Sequence, residues 1–447
     1  MEIADHLTNP ESGNYSISIG SDSVPTQGST QQPLVGAYVA LLLFIFVYCA
    51  RPEDWIPGLS HAPLAKITGV LALVALFFSL QHIRQRFPRE VFYVALLIGQ
   101  LFLASLFSPV WRGGAFQATL DFAKVLIVIV VMAVTVNTAR RLRLLIMTQA
   151  ASVVAISAVT IWKGHLVLGR LEGMLGGIYG DPNDLALAFV MSLPLCLALF
   201  FVMRNSIWKA FWAASILMLT YAVFLTGSRG GFLSLVVTGA IALWDFAIRG
   251  RRGYLLVAAV LLAVIVLQSS AGNVFGRFKG TFNPDEDTAA AYASAQERQH
   301  LLIRSLEVTM EHPLFGVGPG NFMQLSGNWH VAHNSFTQMS AEGGIPALIF
   351  YVLILWSGFR NLRATRKFGK GRRQTQILAK GLHASLAGYI IGSCFLSIPF
   401  SYFPYILVAY TTALLCLAKK SEAPSWKLEA PSLELETVPQ IYAGSPS

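Results

Sequence analysis

A dozen long apolar runs constrain this chain more than any other feature. They fall at about residues 33–50, 64–80, 91–107, 121–137, 142–162, 184–203, 207–226, 230–248, 254–268, 336–359, 381–398 and 402–418. A helix rises 1.5 Å per residue, so roughly 20 residues cross a ~30 Å hydrocarbon layer. Inside that layer each backbone N–H and C=O must be paired within its own segment, and for runs of this length the helix does that. The expected fold is therefore all-α, a polytopic membrane protein of about twelve transmembrane helices. Composition agrees: 13% of the residues are charged, against about 25% in soluble domains.

The loops set the orientation. With the N-terminus in the cytoplasm and strict alternation, the inside loops collect Arg84, Arg86, Arg89, Arg140, Arg141, Arg143, Arg204, Lys209, Arg249, Arg251, Arg252, the basic residues from Arg360 to Lys380, and Lys419, Lys420 and Lys427. Short basic loops mark the cytoplasmic side. The net charge of +10 is thus a topology signal whose partner is the anionic lipid surface, and no nucleic acid is expected. Residues 1–32 contain no Lys or Arg and are rich in Ser, Gly, Gln and Thr, which reads as a disordered cytoplasmic tail and not as a signal peptide. The membrane domain spans 33–418, and 419–447 reads as a second disordered cytoplasmic tail. Cys49, Cys196, Cys394 and Cys416 sit in apolar runs without CxxC spacing, so they read as small core hydrophobes.

One loop is long, 269–335, and it falls outside, between spans nine and ten. Long loops with structure of their own carry function. Residues 292–311 have helical spacing: Leu302, Leu306 and Met310 make one stripe, with Arg298 a turn earlier on the same face. His312-Pro313 ends that helix, and "GVGPGNF" (316–322) supplies flexible backbone. Two outer turns matter as well. "TGSRGG" (226–231) leaves Arg229 beside glycine-bared backbone. "GGIYGDPNDLA" (176–186) sets Asp181, Asn183 and Asp184 at the start of a span, with Asp184 as a helix cap. Arg170 is a further candidate.

Arginines on the outer face run against the charge rule, and a bound anion accounts for them. Phosphate or pyrophosphate suits the planar guanidinium fork, and bare amides add donors. His333, where the loop re-enters the membrane, can serve as general base for a hydroxyl. His330 and His333 are three apart, but no carboxylate or cysteine within eight residues completes a metal set, so no metal is expected. Glu342 is nine residues after His333, half a turn away on an ideal helix. It should bond a neighbouring helix, though an intramembrane carboxylate remains a functional candidate. Gly343-Gly344 allow close helix contact.

These residues resemble motifs of the O-antigen ligase and polymerase superfamily, bacterial polytopic membrane glycosyltransferases of about twelve spans. Arg298-Gln-His-Leu-Leu302 is similar to the family's R-x-x-x-L helix. His333-Asn334, followed after eight residues by Gly343, is similar to its H-[NSQ] motif. Ser228-Arg229-Gly230 matches its S-R-G turn, and Pro182-Asn183-Asp184 its stretch before span six. Pro346 stands where the ligase pattern often has a second glycine. "RPEDWIPGL" (51–59) resembles a subset of ligase-like proteins near extracellular-polysaccharide systems. The resemblance implies a donor glycan on undecaprenyl pyrophosphate and an acceptor hydroxyl such as that of lipid A–core. It implies inverting, metal-independent transfer without a cofactor, at the periplasmic face of the inner membrane. In it Arg229 and Arg298 would hold the pyrophosphate, and His333 would be catalytic. Asn334, Ser228, Asn183, Asp181 and Glu342 would support them. A polymerase or protein O-oligosaccharyltransferase would use the same donor chemistry. A transporter would be expected to show internal repeats and ionisable groups at the midplane.

Overall fold

The computed structural model describes residues 33–421 apart from 57, 60–61, 80–86, 165, 168–169, 172–178 and 270–288. The first proposed tail, Arg84, Arg86, the acidic segment 283–288 and residues 422–447 of the second tail, with Lys427, lie outside the described residues, while Lys419 and Lys420, expected in that tail, instead close the last helix. A helix forms at every one of the twelve apolar runs. In chain order they are α1 (Pro33–Ala50), α3 (Leu64–Ser79), α4 (Arg89–Leu106), α5 (Arg112–Thr135), α6 (Ala139–Lys163), α7 (Pro182–Val202), α8 (Ser206–Leu225), α9 (Arg229–Leu243), α10 (Tyr254–Ser269), α13 (Ser335–Phe368), α14 (Arg373–Ser393) and α15 (Phe403–Lys420). Between them lie a short α2 (Pro52–Trp55), a two-residue hairpin of β1 (Leu166–Val167) and β2 (Arg170–Leu171), the loop helix α11 (Ala289–Glu311), and α12 (Phe322–Leu325).

Seven of these helices are long and apolar enough to cross a membrane: α4 to α8, α9 with its continuation to Ile248, and α13. Three more, in α1, α3 and α10, are apolar but shorter. Helix α14 opens with Arg373 and carries Lys380 and His383, and α15 closes on Lys419-Lys420. The protein is a polytopic helical membrane protein. Its outer surface supports this, since Phe77, Phe92, Val260 and Trp356 are among many large apolar residues left exposed, where lipid can cover them.

Local chemistry fixes the helix starts. Asp181, Asn205, Ser228, Thr138 and Asn334 each cap a helix with a side-chain oxygen that accepts a first-turn amide. Such caps stabilise by about 0.5–2 kcal/mol each. The cap of α7 is thus Asp181 and not Asp184, because Pro182 takes the first helical position, where its missing N–H costs nothing. Helix α7 is the centre of the bundle, with nearly every residue buried, and packs on α6, α8, α9 and α14.

At the end of the bundle away from His333, α9 passes into a π turn (Trp244–Ile248) that buries Asp245. Its carboxylate accepts from Arg366 Nη2 at 2.6 Å and lies 3.1 Å from His383 Nδ1, and its carbonyl accepts from Lys380 Nζ at 2.6 Å. The cysteines divide. Cys49 and Cys196 are buried as expected, while Cys394, just past the end of α14, and Cys416 are exposed.

Candidate active site

Two turns that are distant in sequence are joined through one amide. Asn183, in the first turn of α7, is buried. Its Oδ1 accepts from Ser228 Oγ at 2.6 Å and from Arg170 Nη2 at 3.1 Å, and its Nδ2 donates to Asp181 Oδ1 at 2.7 Å. Arg170 Nε also donates to the carbonyl of Thr226, at 3.0 Å. The turn 226–229 and the turn 181–184 are therefore held as one unit. Arg229 is the first residue of α9 in that unit, directly after the Ser228 cap.

The glycines of this turn have a packing role, and one of their two amides is taken. The Gly231 amide donates to Ser228 Oγ at 3.0 Å, so it is already used as a cap. A Cβ on Gly231 would stand 2.6 Å from the Ala186 Cβ, and one on Gly230 2.8 Å from the Phe395 Cβ. Both glycines let α9 approach its neighbours.

Arg298 comes to this unit from the loop helix. The packed face of α11 is Leu301, Ser305 and Val308, all fully buried, while Leu306 and Met310 are exposed. The stripe read from Leu302, Leu306 and Met310 is therefore turned by one residue. Arg298 lies three residues before Leu301, so it shares the packed face. Burial pulls its pKa down, the Asp181 charge acts against that, and Arg229 and Glu297 act in turn. Arg298, Arg229, Asp181 and Glu297 thus occupy one electrostatic neighbourhood.

His333 faces the same group. It precedes α13 with a left-handed backbone, φ 53°, a conformation uncommon for any residue with a Cβ. Its neighbours hold it there. Ala332 is buried. Asn334 Oδ1 accepts from the Phe336 and Thr337 amides at 2.9 and 3.2 Å. Ser335 Oγ donates to the Leu396 carbonyl at 2.5 Å and accepts from the Ile398 amide at 3.1 Å. Burial depresses the His333 pKa below the ordinary 6.5, and the Arg298 charge depresses it further. Asp181 and Glu297 oppose this, and His330 adds to it. The imidazole is therefore neutral at pH 7 and can accept a proton. His330 Nε2 lies 3.5 Å from Glu297 Oε1.

Glu342 has a different place from the one expected. Its Oε1 accepts from Gln338 Nε2 at 3.3 Å, on its own helix, and from the Phe322 amide at 3.4 Å, in the loop. Among the described residues no neighbouring membrane-spanning helix supplies a partner, and Phe322 opens the short helix α12. The ideal-helix angle to His333 fails because His333 lies outside α13. The backbone of α13 also breaks just past Glu342, at Gly344, φ 77°. The carbonyls around that break bind the loop: Val317 N to Ala341 O and Gly318 N to Glu342 O, each 2.9 Å, while Ile345 N donates to Pro313 O at 2.8 Å. A Cβ on Gly344 would fall 2.4 Å from the Leu314 carbonyl oxygen. Gly344 thus makes close contact with the loop, whereas Gly343 packs against Leu101 of α4. The segment 316–322 is pinned at left-handed Gly316, Gly318 and Gly320.

Of the residues singled out in the sequence, Arg229, Arg298, His333, Asp181, Asn183 and Ser228 come together at one end of the bundle. Asn334 acts as a cap, and Glu342 lies deeper, beneath the loop. Thr226 and Glu297 join the cluster without having been singled out. The adjacency of Glu297 to Arg298 was the available signal, and Thr226 offered none.

A bundle of apolar helices with a half-buried cationic cluster at one end defines a membrane protein built around a polar site at its surface. Residues 213–352, from within α8 to within α13, match the family model for O-antigen ligase. Over that stretch, about a third of its length, the chain is similar to the O-antigen ligase family. Arg229, Arg298, His333 and Glu342 lie inside the matched stretch, and Asp181 and Asn183 outside it. No protein of curated function matches the chain.

Proposed function

We propose that the protein transfers a glycan from undecaprenyl pyrophosphate to an acceptor hydroxyl at the periplasmic face of the inner membrane, as a ligase. The observation that carries this reading is the meeting of Arg229, Arg298 and His333 around the turn fixed by Asn183. The acceptor oxygen attacks the anomeric carbon from the face opposite the leaving group, and the bond from that carbon to the pyrophosphate oxygen breaks. The pyrophosphate leaves with the bonding electrons, and Arg229 and Arg298 hold its charge. His333 takes the acceptor proton. Pyrophosphate is a good leaving group already, so positioning and charge stabilisation carry most of the catalysis. The arriving anion offsets the Arg298 charge and makes His333 a better base just when one is needed. The cytoplasmic placement of both termini follows from the basic loops.

The test is reconstituted transfer with an undecaprenyl-pyrophosphate-linked glycan and lipid A–core. Glycan should appear once on lipid A–core, be lost in His333→Ala, and be unaffected by EDTA. Arg298→Lys should also slow it, since the bidentate fork is lost. A ladder of longer lipid-linked chains would make the protein a polymerase. Undiminished transfer by His333→Ala would remove the base.

A further inference from the structure

A cavity of 1110 Å³ opens beside the Asp181 turn. Asp184, three residues further along α7, is part of its wall, so the cavity adjoins the cluster described above. It exceeds the ~300–1,000 Å³ of common small-molecule sites. One side is apolar, with Leu41, Phe44, Val70, Leu73 and Ile127 from α1, α3 and α5.

The other side is polar at two places. Lys66 and Lys124 line it together with Asp121. Lys124 stands three residues inside the apolar run 121–137 of α5, where a charge is rare unless it serves a purpose. Lys124 pairs with Asp121, yet the two side chains are 47% and 53% exposed. The Lys66 charge also acts on Asp121, so two cations face one anion. Nearer the cluster, Gln338 Oε1, Glu342 Oε2 and Ser397 Oγ belong to wall residues and have no hydrogen-bond partner. Asp184 and Glu342 on that side disfavour a pyrophosphate, which the arginines outside the cavity suit better. Hydroxyl donors fit there instead.

We propose that this cavity receives the acceptor, and that the acceptor is amphipathic with an acid group, phosphate or carboxylate. Lys66 and Lys124 hold that group. The apolar part lies along α1, α3 and α5, and the hydroxyls turn toward Asp184 and Gln338. This rests on the glycan-transfer reading.

The experiment uses the full chain in nanodiscs with the double variant Lys66→Gln/Lys124→Gln, and Lys66→Arg/Lys124→Arg as the charge-retaining control. The KM for lipid A–core should rise at least tenfold in the glutamine variant and stay near wild type in the arginine one, with the donor KM unchanged in both. An unchanged acceptor KM in folded glutamine variant overturns the proposal. A rise in donor KM alone does so too and gives the cavity to the donor's lipid chain. A second arm reads binding of fluorescent lipid A without donor, which should weaken in the glutamine variant and resist excess inorganic phosphate. Displacement by phosphate would show a site for the free anion and overturn the amphipathic ligand. This arm separates the two readings. If wild type transfers no glycan but binds lipid A through the lysines, the ligase reading falls and the cavity assignment stands.

Discussion

Asn183→Ala severs the two turns that position Arg229 and Asp181. The substitution removes three hydrogen bonds: from Ser228 at 2.6 Å, from Arg170 at 3.1 Å and to Asp181 at 2.7 Å. A neutral bond contributes about 0.5–1.5 kcal/mol and one to a charged group about 1.5–3. Arg170 and Asp181 keep access to water, which lowers their share, so a total near 3 kcal/mol is expected. The kinetic effect should be larger. Displacement of a positioning group by about 1 Å can cost ~10²-fold in rate, and Arg229 directly follows the Ser228 cap that Asn183 holds. The assay pairs thermal unfolding in detergent with reconstituted transfer. We expect a lower melting temperature together with turnover reduced about a hundredfold at a temperature where the variant is folded. Turnover within twofold of wild type would refute the reasoning, because Arg229 would then need no such tether.

Transfer should fall as acid protonates His333. Because its pKa is depressed from 6.5, the neutral base persists below that pH, and the acid limb of the pH–rate profile should lie beneath 6.5; a limb above it would contradict the burial. Asp245→Ala should destabilise the protein by about 2–3 kcal/mol, read by thermal unfolding. That is less than the ~3–5 of a fully buried pair, since Arg366 and His383 remain 30% and 31% exposed; turnover per folded molecule should hold. Gly344→Ala should cost about 2 kcal/mol or more and expose the 313–322 segment to protease, and an unchanged digestion pattern would count against its role as the loop's anchor.

Helix positions were legible because long apolar runs admit one backbone solution, whereas the cap of α7 was misplaced, at Asp184 and not Asp181. Helix faces were less so. In α11 the run Leu302, Leu306, Met310 is more apolar than Leu301, Ser305, Val308, yet the second packs inward, and Thr309 beside it meets Ser340 of α13 at 2.9 Å. The Asn183 hub was legible as a set of residues but not as a network. Arg170 reaches Thr226 across 56 positions, and no local spacing encodes that. The angle between His333 and Glu342 failed for a local reason: an ideal helix was assumed through a left-handed histidine.

The loop clasp at Gly344 also sets what can be exchanged between related proteins. Residues 313–318 and 341–345 are two halves of one fastener, made of main-chain bonds that any sequence can form provided the glycines stay. A graft of the loop alone would leave carbonyls of α13 open and the incoming amides without acceptors. The transferable cassette runs from α11 through Ile345, and the ribosome completes the fastener only when α13 emerges. The loop helix is therefore made before the surface it docks on, and the site has no finished form until α13 is in place.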